Sequence, residues 1–102
     1  MLYRQGDVLL RKIDAIPPDA TKDTTAKGHC VLAEGEATGH SHTITSRRMS
    51  VFRRGSDGLF LSLGQRASVK HQEHDAIDLP AGDYEVIRQR EYTPAGIVRV
   101  AD

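Results

Sequence analysis

The chain has 102 residues, 38% of them hydrophobic and 27% charged, with 14 Lys and Arg balanced by 14 Asp and Glu. That length holds one small domain, expected to run over residues 1–102. Its 23 Leu, Val, Ile and Phe residues allow a thin core that a bound metal or a partner subunit would reinforce. The balanced charge removes the generic electrostatic drive toward nucleic acid or an anionic membrane.

The lone Cys30 cannot form an intrachain disulfide, which fits a reducing compartment. The opening Met1-Leu2-Tyr3-Arg4-Gln5-Gly6-Asp7 lacks the apolar run of a signal peptide, and no stretch approaches the roughly 20 apolar residues of a membrane helix. The expectation is a soluble cytoplasmic protein.

Apolar residues recur in short alternating runs broken by Gly, Pro and Asp, which predicts an all-β fold. Asp7 to Ile13 forms a first strand, stopped by Pro17-Pro18, and residues 17–28 form a polar loop. His29 to Glu34, His40 to Thr45 and Met49 to Arg54 follow as strands, and Gly55-Ser56-Asp57-Gly58 turns the chain. Leu59, Leu61 and Leu63 then share one strand face, and Gly64-Gln65 leads into Ala67 to His71. After Leu79-Pro80-Ala81-Gly82, Asp83 to Tyr92 and Ile97 to Val100 are expected to pair as a hairpin around Thr93-Pro94-Ala95-Gly96. Seven to nine short strands at this spacing suggest a small barrel or sandwich.

Charge is unevenly spread. Arg47, Arg48, Arg53 and Arg54 form a segment without acids, whereas Glu73, Asp75, Asp78, Asp83 and Glu85 form one without Lys or Arg. These patches could meet within the chain or between copies. Exposed sheet edges point the same way, toward a homo-oligomer. The arginines fall on both faces of their strand and few aromatics lie near, so nucleic acid is an unfavoured partner.

Four of the five histidines fall in two tight pairs, His40-Ser41-His42 and His71-Gln72-Glu73-His74. Residues two apart on a strand face the same way, so His40 and His42 join Ile44 on the apolar side. Val69 and His71 share an inward face while Lys70 seeks water, and a bend at Gln72-Glu73 would bring His74 alongside. Neutral imidazole ligates Zn, Fe, Ni and Cu, so the pattern predicts a divalent transition metal, such as Zn, Fe or Ni, on His40, His42, His71 and His74. Glu73 is the carboxylate best placed for a general base or an extra ligand. His29 and Cys30 are weaker candidate ligands, since one thiol on a Val-Leu-Ala strand fits the core. Glu34 to Gly39 lacks the ending of a phosphate loop, and Ser41 points away from both neighbouring imidazoles.

Gly39-His40-Ser41-His42 and Pro80-Ala81-Gly82 resemble the two motifs of the cupins, small β-barrels with His-x-His on one strand and a Pro-x-Gly turn later. The resemblance implies His40 and His42 as metal ligands. Cupins usually carry a Glu after His-x-His and a His after Pro-x-Gly; here those places hold Thr45-Ser46-Arg47-Arg48 and Asp83-Tyr84-Glu85. Two functions stay open. One is a small metalloenzyme acting on a small molecule through open coordination positions. The other is a non-enzymatic binding or assembly module whose histidines close around a structural metal.

Overall fold

The alternating runs become strands. A computed structural model describes residues 1–34, 39–88, 90–93 and 96–99. Among them every regular element is a strand: β1 Leu2–Gln5, β2 Val8–Ile13, β3 Thr21–Lys22, β4 His29–Glu34, β5 Ser41–Thr45, β6 Met49–Arg54, β7 Gly58–Leu63, β8 Ala67–Lys70, β9 Ile77–Leu79, β10 Gly82–Arg88, β11 Arg90–Thr93 and β12 Gly96–Arg99. Strands β1, β3 and β9 lie outside the expected runs, because they have 4, 2 and 3 residues and a period cannot show over so few. No helix among the described residues is long and apolar enough to cross a membrane.

The strands pair antiparallel into a six-stranded sheet, β1-β2-β10-β7-β6-β3, a four-stranded sheet, β4-β5-β8-β9, and a two-stranded ribbon, β11-β12. Each order has two ends, so the strands do not close into a barrel. The chain crosses between the two larger sheets at residues 23–28, 46–48, 64–66 and 80–81, which leaves β3 and β4, β5 and β6, β7 and β8, and β9 and β10 in different sheets. Backbone bonds brace these crossings: Gly64 N–H donates to Arg48 C=O (2.7 Å) and Ser46 N–H to Gly28 C=O (2.9 Å). The expected strand from Asp83 to Tyr92 is also revised. β10 ends at Arg88, and β11 pairs with β12 from Thr93↔Gly96 to Arg90↔Arg99. Pro94, Ala95 and Val100 lie outside the described residues.

Inward residues of both sheets share one core: Val8 and Leu10, Leu32, Ile44, Val51, Leu61 and Leu63, Val69, Leu79, Tyr84 and Val86. Leu59, Leu61 and Leu63 are all buried, as alternation requires. Phe60, on the other face of β7, is buried too, with the Arg54 guanidinium 5.1 Å from its ring centre in a cation–π contact.

The two charged segments find other partners within the chain. Arg53 Nε–H donates to Asp23 (2.9 Å) and Arg54 reaches Asp19 (3.3 Å), both acids of the 17–28 loop, while Glu85 pairs with Arg11 on β2. Asp23 fastens that loop. It accepts from the Thr25 hydroxyl (2.6 Å) and N–H (2.9 Å), and its own N–H donates to Val51 C=O (2.8 Å). The Thr25 bonds, followed by the Arg53 bond, lower its carboxyl pKa from 3.8 to about 2.

Candidate metal centre

The site is built where the register of the four-stranded sheet runs into a bend. Thr43 pairs with Lys70 and Ile44 with Val69. Continuing that register sets His42 opposite His71, and the two ring centres are 4.3 Å apart. One step further, Gln72 takes the place of a strand residue, its Oε1 accepting from Ser41 N–H (2.8 Å). The chain then turns, with Glu73 N–H (3.0 Å) and His74 N–H (3.3 Å) both donating to His71 Nδ1. This turn brings His74 to 4.7 Å from His71 and 6.0 Å from His42, ring centre to ring centre. His40, just before β5, lies 5.7 Å from His71. His71 therefore touches the other three rings, and the four imidazoles expected from the sequence form one cluster.

The strand parity is as expected: His42 and Ile44 are buried, Thr45 is exposed, and Val69 is buried beside exposed Lys70. His40 sits at the rim, its Nδ1 2.8 Å from Glu73 Oε1, with side-chain exposures of 29% and 67%. In that pair the imidazole Nδ1–H donates to the carboxylate.

Two residues that sequence reasoning passed over complete the arrangement. Gly6, at φ 58°, opens the two-residue loop of the β1–β2 hairpin, where glycine meets the need for a positive φ. Gln5 and Asp7 flank it, 3% and 1% exposed. Gln5 Nε2 donates to Val69 C=O (3.0 Å) and Asp75 C=O (2.9 Å), and only an amide nitrogen can do so. Its Oε1 is thereby fixed as an acceptor, and His42 Nδ1, 2.8 Å away, carries the proton. In the neutral ring His42 Nε2 is then a lone pair, and it faces Asp7 Oδ1 at 3.4 Å. Nothing in composition or spacing marks Gln5 or Asp7, since Gln and Asp around a Gly turn read as ordinary solvated turn residues.

The Nε2 atoms of His42, His71 and His74 and both carboxylate oxygens of Asp7 are closed off from solvent. As placed, no three His, Cys, Asp or Glu side chains among the described residues already converge on one metal-binding point. His71 shows why: its Nδ1 is engaged by the bend, which leaves the proton of the neutral ring on Nε2. His29 and Cys30 stand apart from the cluster. His29 Nδ1 bonds Thr45 Oγ1 (2.9 Å), and Cys30 belongs to the core, where burial pushes its thiol pKa up. On the outward face of the same sheet, Thr43, Thr45, Arg66, Ser68, Lys70 and Asp78 line an open polar groove of about 450 Å³.

A family model described as "Domain of unknown function (DUF8820)" matches residues 4–89. The chain belongs to the DUF8820 family. No curated protein and no solved structure matches it. The DUF8820 match takes in Gln5, Asp7 and all four clustered histidines, so the whole arrangement lies inside the family's domain.

Proposed function

We propose that this DUF8820 protein binds a divalent transition metal, Zn, Fe or Ni, through His40, His42, His71 and His74. The observation that carries the reading is the gathering of four imidazoles around His71, with the Nε2 atoms of His42, His71 and His74 turned away from water. A shared cation is a common reason to collect imidazoles in one place. Ligation by His71 requires the 71–75 bend to release Nδ1, a local rearrangement of an exposed segment.

The cupin likeness of Gly39-His40-Ser41-His42 supports a small metalloenzyme acting on a small molecule, with Glu73 as general base at the rim beside His40. A second reading, a non-enzymatic module with a structural metal, is supported by the complete burial of His42, which leaves no room for substrate beside that ring. Self-association suits the sheet edges β1 and β4, which carry exposed Leu2 and Val31. A free, buried Cys30 suits a cytoplasmic setting.

The test is metal content and thermal midpoint of untagged protein beside His42→Ala and His71→Ala. The reading expects about one ion per chain in the parent, and loss of both metal and metal-dependent stabilisation in each variant. Variants that match the parent in metal content would end it.

A further inference from the structure

We propose that the polar groove on the outward face of the four-stranded sheet binds a small phosphate ester that also carries hydroxyl groups, of the sugar-phosphate class. Alternation builds the groove. Ile44, Ala67 and Val69 are buried, so Thr43 and Thr45 on β5 and Ser68 and Lys70 on β8 point the other way, and Arg66 continues the outward row just before β8. The register sets Thr43 beside Lys70, and Ser68 beside Asp78 of β9. Because His42 is buried on the opposite side of β5, the groove is separate from the histidine cluster, and the proposal does not rest on the metal-binding reading.

The charges decide the ligand. Arg11, Arg53 and Arg54 each pair with an acid, whereas Arg66 and Lys70, both exposed, pair with none among the described residues. Asp78, the acid that lines the groove, is held instead by the Ser68 hydroxyl, which donates to its Oδ1. At about 3.3 Å per residue the two cations are anchored on the order of 13 Å apart with Ser68 midway, and their long side chains reach in from both ends. A phosphate monoester carries a charge of about −1.5 to −2 near pH 7, which complements two cations, and the Thr43 hydroxyl beside Lys70 adds a neutral donor. Ionised Asp78 only accepts, so it repels a second anionic group and takes a ligand hydroxyl instead. The volume of about 450 Å³ lies in the range of small-molecule sites.

The experiment follows the amide NMR spectrum of the full chain during titration with glucose 6-phosphate, glucose, gluconate and inorganic phosphate at fixed ionic strength. The expected result is saturable shifts at Thr43, Thr45, Ser68 and Lys70 with glucose 6-phosphate and none with glucose. Affinity should fall about 5-fold or more in Arg66→Gln and in Lys70→Gln, and the same spectra report that these exposed variants are folded. Asp78→Ala should bring the ester down to the affinity of inorganic phosphate. If glucose 6-phosphate shifts none of these amides at about 10 mM, or binds both charge variants as tightly as the parent, the proposal is overturned. Inorganic phosphate bound as tightly as the ester would mean an adventitious ion only, and gluconate bound as tightly would assign the groove to carboxylates; either result overturns the phosphate-ester class.

Discussion

Gln5 and His42 are 37 positions apart, yet Gln5 Oε1 lies 2.8 Å from His42 Nδ1. The same amide holds Val69 C=O on β8 and Asp75 C=O in the bend, so one side chain from the six-stranded sheet joins three pieces of the site. Removing it leaves buried partners unsatisfied. Gln5→Ala is expected to lower the stability of metal-free protein by about 2 kcal/mol or more, read from denaturant unfolding. A change below about 0.5 kcal/mol would mean that these bonds do not contribute.

Asp23 gives the fold a defined sensitivity to acid. Its pKa falls from 3.8 to about 2 because Thr25 and then Arg53 bond its charged form. A carboxylate depressed in the folded state stabilises the fold fully above its unfolded pKa, and loses that contribution as pH falls through its folded value. The stability gap between parent and Asp23→Asn should therefore be constant above about pH 5 and shrink between roughly pH 4 and pH 2. Denaturant midpoints across that range test it, and a constant gap would refute it.

The β6–β7 hairpin separates two uses of glycine. A Cβ on Gly58 would come 2.5 Å from Arg54 C=O, backbone of its own partner strand, so Gly58→Ala should cost about 1–3 kcal/mol. Gly55 has open space around it but φ 62°, a conformation that Asn tolerates, so Gly55→Asn should stay within about 1 kcal/mol of the parent. Thermal melts of the two variants side by side check the contrast.

Tyr84 is buried, and its hydroxyl donates to Pro80 C=O (2.7 Å) across the Pro80-Ala81-Gly82 crossing. Its ring meets Tyr3 edge-on at 6.0 Å. Tyr84→Phe keeps the packing and removes only the bond, so a loss of about 1 kcal/mol with unchanged metal content is expected. A larger loss accompanied by loss of metal would tie the crossing to the site.

Period-2 alternation made β2, β4, β5, β6, β7 and β8 legible, together with the inward parity of His42 and Val69, because these follow from local geometry. The division into two sheets was not legible. It depends on crossings at residues 23–28, 46–48, 64–66 and 80–81, the first three of them joined by backbone bonds between distant turns. The same limit applied to the site. His42 and His71 could be read as facing inward, but their direct opposition comes from the Thr43↔Lys70 register, and Gln5 and Asp7 enter only once the β1–β2 hairpin has packed. Arg53 and Arg54 show a related blindness: composition marked a basic run, while their acids came from the polar loop.

The reach of Gln5 also says when the site exists. Its two carbonyl partners lie 64 and 70 residues along the chain, so the imidazole at position 42 has no fixed tautomer until both ends of that span have met. Closing so long a loop carries an entropic cost that local contacts do not offset, and contacts of this sequence separation slow folding. A nascent chain released no further than β7 holds the Gln5 and His42 side chains but lacks Val69, His71, His74 and Asp75. The cluster of imidazoles is thus complete only after the last of these segments docks, which makes it a late feature of folding.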